Sequence, residues 1–133
     1  WDLRHLFGNM LFLLLLGPII EKRLGHLIFT LLYITAGLAA AMGFGYIYPD
    51  TPIIGASGAI AGLISVYPFV QRNLVSFFLG GLLLGFYYVQ QFNYFLIDFV
   101  IEGLAGKIAF LAHIAGGIWG LVFLSIRNWF KRG

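Results

Sequence analysis

The sequence predicts an all-α protein that crosses a membrane several times, and three observations lead to that prediction. Hydrophobic residues make up 61% of the 133 residues, and charged residues make up only 10%. The mean hydropathy is +0.95. Soluble domains carry about 25% charged residues, so this composition excludes a soluble globular domain. Third, the charges leave apolar runs near the ~20 residues that a helix needs to cross a bilayer.

Five apolar spans are separated by charged or proline-containing turns. The first two spans are predicted at about residues 6–20 and 27–46, with a tight charged turn between them. Proline lacks a backbone donor and disfavours helix in the preceding residue, so residues 48–52 end the second span. An interfacial loop or short helix, lying on the bilayer, is predicted at 94–107. The other spans are predicted at residues 57–72, 74–88 and 108–126.

The positive charges predict the topology. Six of the eight lysine and arginine residues fall on one side of the five spans, and by the positive-inside rule that side is cytoplasmic. The C-terminus is therefore expected inside and Trp1 outside, in a plasma or inner membrane. Because the chain starts outside without an initiator methionine, an upstream part with another span is expected. Residues 1–133 are thus predicted to be one N-terminally truncated transmembrane domain.

Three polar residues, Asn9, Ser57 and His113, fall inside the predicted spans at similar depths. At ~1.5 Å of rise per residue, Ser57 lies about 22 Å and His113 about 21 Å above the nearest cytoplasmic charge of its own span. Asn9 lies about 20 Å above such a charge, and His5 lies one turn further out. A polar side chain at membrane depth is costly unless it faces protein or water. A common depth on three helices therefore predicts a shared site.

The residue types at this depth favour nucleophilic catalysis. A serine hydroxyl is a poor nucleophile until a base takes its proton, and neutral histidine is the usual base, which fits Ser57 and His113. Small residues around Ser57 leave backbone N–H groups accessible at a helix N-terminus, where negative charge is stabilised. His5 and Asn9 are four residues apart, hence on one helix face, and both can donate hydrogen bonds to an oxyanion.

Structural explanations compete with this interpretation. The small-xxx-small patterns at residues 58–62 and 116–120 are most often helix-packing motifs. A membrane serine usually bonds to its own helix. For a lone intramembrane histidine, a satisfied structural hydrogen bond competes with a proton-relay or ligand role. The conjunction of four polar residues favours catalysis over these readings. A proton-coupled transporter that uses His5 and His113 is disfavoured, because no carboxylate lies at their depth.

Four motifs, in this order and spacing, resemble those of the rhomboid intramembrane serine proteases. They are His5-Leu-Phe-Gly-Asn9-Met10, Glu21-Lys-Arg-Leu-Gly25, Gly55-Ala-Ser57-Gly58, and Ala112-His113-Ile-Ala-Gly116 followed by Gly120. The resemblance implies a rhomboid-like helical bundle in which this chain holds the second to sixth helices of a six-span core. The fourth span corresponds to the family's proposed lateral gate.

The resemblance also implies the reaction. Ser57 would attack a peptide bond, and His113 would act as base and then as acid. The oxyanion hole would consist of His5, Asn9 and the backbone N–H of Ser57. In the family, the remaining motif residues shape the serine turn and let the last helix pack closely against the serine helix; here these are Gly55, Gly58, Gly116 and Gly120.

The implied partners are transmembrane segments of other proteins, cut near their outer end, and the lipid bilayer. No cofactor, metal or nucleic acid is expected. Some family members carry an aromatic residue that stacks on the histidine where this chain has Ala61, so His113 is either held less firmly or contacted from another helix. The alternative function is a non-catalytic rhomboid-like protein that binds transmembrane clients. Such relatives typically lose the serine or the histidine, and this chain has both.

Overall fold

The computed structural model describes residues 3–50, 55–71, 73–101 and 105–132. Within these ranges the chain is helical and contains no strand, which confirms the predicted all-α fold class. The five helices are α1 (Leu3–Leu24), α2 (His26–Ile47), α3 (Ser57–Val70), α4 (Leu74–Ile101) and α5 (Ala105–Phe130).

A single glycine makes the turn between α1 and α2. Gly25 has a φ of 90°, a conformation that residues with a Cβ rarely adopt, and its N–H donates to the carbonyl oxygen of Glu21 at 2.7 Å. The last turn of α1 carries Lys22 and Arg23, whose charges complement the negative end of the helix dipole. The chain therefore reverses direction within one residue, and α1 and α2 lie side by side.

The predicted break in the chain before an interfacial segment at residues 94–107 is wrong, and residues 102–104 lie outside the described residues. Helix α4 continues without a break to Ile101, and α5 begins at Ala105. The physical reason is that residues 89–101 contain neither glycine nor proline, so nothing in the chain ends the helix after the apolar span.

Helix α3 is the centre of the bundle, and every residue from Gly58 to Val66 is buried. It runs antiparallel to α2, because the Cβ positions of Gly58 and Gly62 lie against Ala40 and Ala36 respectively. Helix α4 lies against the other end of α3, where a Cβ at Gly80 would be 3.0 Å from Pro68 Cα. Close packing of small residues is how helices associate in a membrane.

The outside of the bundle is apolar. Large side chains such as Leu14, Met42 and Leu82 are more than two-thirds exposed. Soluble monomers rarely expose contiguous apolar patches of more than a few hundred Å². By length and hydropathy, His26–Ile47 and Phe110–Phe130 could each cross a membrane, and Ser57–Val70 and Leu74–Gln90 are shorter apolar helices.

Candidate active site

Ser57 is the first residue of α3 and is half-buried. Gly55, two residues earlier, has a φ of 126°, which only glycine adopts without strain. Ala56 then caps the helix, and its carbonyl oxygen accepts a hydrogen bond from the N–H of Ile60 at 3.0 Å. This turn places Ser57 at a helix N-terminus, where the first N–H groups have no helical acceptor and favour a negative charge.

The backbones of α3 and α5 are in direct contact beside Ser57. A Cβ at Gly116 would collide with the carbonyl oxygen of Gly58. The contact repeats one turn further along both helices, where a Cβ at Gly120 would lie 2.6 Å from the carbonyl oxygen of Gly62. Because both contacts advance in the same direction, α3 and α5 run parallel, and no side chain separates them along two turns.

His113 belongs to the turn of α5 that faces the start of α3. Its neighbour Ala112 has its carbonyl oxygen 3.6 Å from the Cβ position of Gly58. The His113 side chain is 5% exposed, and its Nε2 atom is buried. Since Gly58 directly follows Ser57, the structure places Ser57 and His113 on facing turns of two helices whose backbones touch.

An aromatic residue from α4 contacts the histidine. The rings of Tyr87 and His113 have centroids 6.2 Å apart with an interplanar angle of 57°. Tyr87 is 8% exposed, and its ring also meets that of Phe12 of α1 in a T-shaped arrangement, with the ring centroids 6.1 Å apart. Of the two alternatives that Ala61 leaves open, contact from another helix is the one observed. Tyr87 of α4 thus links the His113 ring to Phe12 of α1.

The two predicted donors on α1 are described to different extents. Asn9 is half-buried and lies three residues before Phe12, hence on the same face of α1 as the ring that meets Tyr87. The backbone of His5 belongs to α1, and its side chain lies outside the described residues. The oxyanion role of both residues therefore stays a prediction.

A hydrogen bond also ties α4 to the centre of the bundle. Ser65 Oγ and Tyr88 OH are 3.0 Å apart, and Ser65 is fully buried. Gly117 leaves room for this pair, because a Cβ there would collide with Tyr88 OH and lie 2.8 Å from Ser65 Oγ. Sequence reasoning missed Tyr87, Tyr88 and Ser65. The sequence does contain one signal for this contact. The packing motif at residues 116–120 requires a small residue at Gly116 but not at Gly117, so the second glycine indicates a further close approach.

The described residues contain no group of three or more His, Asp or Glu side chains placed to hold a metal ion. What the site offers chemically is a hydroxyl at a helix N-terminus and an imidazole on the adjoining helix. The imidazole is buried and contacts an aromatic ring, whereas the serine is half-buried.

A family model described as the rhomboid domain matches residues 1–129. The chain belongs to the rhomboid family. A Bacillus subtilis (strain 168) protein named "Putative rhomboid protease YdcA" is 39% identical to this rhomboid over 67 residues, which are 50% of this chain and 34% of the relative. The chain thus spans about a third of the length of that relative. No solved structure matches it. Family membership and the apolar exterior together make this rhomboid a membrane protein.

Proposed function

We propose that this rhomboid is an intramembrane serine endopeptidase in which Ser57 and His113 form the catalytic dyad. The observation that carries the proposal is the backbone contact between Gly58 and Gly116, which brings the first turn of α3 against the turn of α5 that holds the histidine. A nucleophile and its base must lie within hydrogen-bond reach in the reacting complex. Helices that touch through glycine are as close as two helices can be.

The proposed reaction begins with attack by Ser57 Oγ on the carbonyl carbon of the scissile peptide, while His113 takes the hydroxyl proton. His113 then gives this proton to the leaving amine, and a water molecule repeats the sequence on the acyl-enzyme. The oxyanion forms beside the N-terminus of α3, where the backbone N–H of Ser57 can donate to it. His5 and Asn9 are proposed as the remaining donors.

The proposed substrate is a transmembrane segment of another membrane protein, cut near its outer end. Gly55 is exposed and Ser57 is half-buried, so the serine turn is not sealed within the bundle, and the water that hydrolysis requires is proposed to reach it from the outer side. Helix α4 borders the site through Tyr87 and exposes large apolar side chains such as Phe86 along its length. A substrate helix arriving through the lipid would therefore meet α4 before the dyad.

Covalent labelling tests the proposal directly. We expect a water-soluble serine-directed phosphonate to label the full-length protein in detergent at one residue, Ser57, identified by peptide mass spectrometry. Ser57→Ala should remove the label. Ser125→Ala is the matched control, because Ser125 is an exposed serine whose hydroxyl donates to the carbonyl oxygen of Leu121. Absence of labelling in a folded, full-length protein would contradict an activated serine.

Tyr87 is proposed as a positioning residue for His113. Removing its ring in Tyr87→Ala should lower kcat by about tenfold, since roughly 0.5–1.5 kcal/mol comes from such a ring pair beyond its burial. The KM for a reporter substrate should change little. Tyr87→Phe keeps the ring and should retain most of the activity. Phe69→Ala, which removes a 55% exposed ring at the end of α3 away from Ser57, is the control. A purely structural role would instead lower the activity and the thermal stability in proportion.

A further inference from the structure

A groove with a volume of about 390 Å³ opens at the end of the bundle where α1 ends, α2 begins and α5 ends. This groove is far from the dyad along α5, and nothing in the proposed reaction uses it. Its apolar walls come from three helices, and two cationic side chains complete it. The lining residues are Leu24, Ile28, Phe123, Ile126, Phe130, Arg127 and Lys131.

The chemistry of the groove changes along α5. Phe123, Arg127 and Lys131 are spaced four residues apart, and the N–H of Lys131, just after the end of α5, still donates to the carbonyl oxygen of Arg127 at 3.2 Å. The three residues therefore form one ridge that runs from apolar to cationic. The lining includes no acidic residue. Glu21, three residues before the groove-lining Leu24, already accepts a hydrogen bond from His26. The two cations are therefore not neutralised by a carboxylate of the groove.

Arg127 retains hydrogen-bonding capacity on the groove side. Its Nη1 donates to Asn128 Oδ1 at 3.2 Å, and its Nε is buried with no hydrogen-bond partner among the described residues. The guanidinium group has five N–H donors, so donors other than the one given to Asn128 can bind the oxygen atoms of a ligand. The planar guanidinium group is well matched to a phosphate, which accepts two of its N–H groups.

The position of the groove fits the membrane surface. Trp129 and Phe130 are 70% and 72% exposed, as expected for aromatic residues at a membrane–water interface. Lys22, Arg23 and Arg132 lie at the same end of the bundle. Phospholipid phosphates lie at this level of a bilayer, with the acyl chains directed toward its centre. The ridge on α5 has the same order, with cations at the end and Phe123 deeper.

We propose that this groove binds one anionic glycerophospholipid, with its phosphate between Arg127 and Lys131 and the upper part of an acyl chain against Phe123 and Ile126. The volume lies near the lower end of the roughly 300–1,000 Å³ of small-molecule sites, so the groove holds the headgroup region and only part of a chain. Two cations without a carboxylate select a lipid with net negative charge over a zwitterionic one.

Lipid binding to the full-length protein in detergent tests this site by native mass spectrometry. The probes are palmitoyl-oleoyl phosphatidylglycerol, the phosphatidylcholine with the same chains, and glycerol phosphate without chains. We expect the anionic lipid to bind at least about tenfold more tightly than the other two. Arg127→Gln with Lys131→Gln should remove that preference. Arg132→Gln, which removes a neighbouring charge outside the groove, should change the affinity less than about twofold.

A second variant separates the groove from the charge of the surface. Ile126→Trp fills the apolar wall and keeps both cations, so it should weaken phosphatidylglycerol binding while glycerol phosphate binding stays unchanged. Unchanged lipid binding in Ile126→Trp would overturn the groove assignment. Equal losses in the double variant and in Arg132→Gln, or equal binding of the anionic and zwitterionic lipids, would overturn the proposal. These readouts do not depend on proteolysis, so they stand even if the phosphonate fails to label Ser57.

Discussion

Ser57→Ala is expected to abolish cleavage of a single-span reporter protein in liposomes, with a fall in rate of at least about a thousandfold. The hydroxyl is the proposed nucleophile, and alanine leaves no atom that can form the acyl-enzyme. The substitution removes one oxygen from a half-buried side chain at a helix start, so the bundle should stay folded. The cleavage products are measured by gel and mass spectrometry, and the melting temperature serves as the folding control.

His113→Ala should cause a loss of similar size, and the combined variant should be no worse than either alone. Residues that act as one unit in a reaction are strongly non-additive, because removing either abolishes the same step. His113 is buried and contacts Tyr87, so its variant needs its own measurement of stability. Equal cleavage by the wild type and both variants would contradict the protease proposal. Client binding without turnover in the wild type would favour the non-catalytic alternative.

The number and order of the helices could be predicted from the composition of the sequence. Apolar runs and the charges between them fix the number and order of the helices, because a buried polar backbone must be satisfied within each span. The end of α4 was not predictable in this way. The mixed polar and apolar sequence at residues 94–107 predicts an interfacial segment, whereas the continuation of α4 to Ile101 follows from the absence of glycine and proline at residues 89–101.

The candidate site divides in the same manner. Ser57, His113 and Asn9 stand out because each is polar within an apolar helix, and that signal is local to the sequence. Tyr87 does not stand out, because an aromatic residue in an apolar helix is ordinary and its contact with His113 depends on how α4 is rotated and tilted. Contacts between helices that are distant in sequence leave no periodic pattern in the amino-acid sequence. Ala61 indicated only that a ring was missing, not which helix would supply one.

The glycines of α3 and α5 link stability to the proposed catalysis. Between helices in lipid the hydrophobic effect contributes little, since acyl chains are as apolar as leucine, and association relies on close packing. Gly58, Gly62, Gly116 and Gly120 provide that packing with backbone against backbone. The same contact sets the separation between the turns that hold Ser57 and His113. A change that separates the helices should therefore act on folding and on the dyad together.

Gly116→Ala is expected to lower the free energy of unfolding by roughly 1–3 kcal/mol and to reduce cleavage sharply. The added methyl group would collide with the carbonyl oxygen of Gly58, and a backbone oxygen cannot turn away as a flexible side chain can. Gly81→Ala on α4 is the matched control, since nothing lies within 4 Å of its Cβ position. In a helix interior that control should raise stability by about 0.5–1 kcal/mol, because alanine restricts the unfolded chain more than glycine does. Unfolding by denaturing detergent measures the stability of both variants.

A stability change of the same sign in the two variants would contradict direct backbone contact. Full cleavage by a destabilised Gly116→Ala would show that the dyad tolerates a wider helix separation.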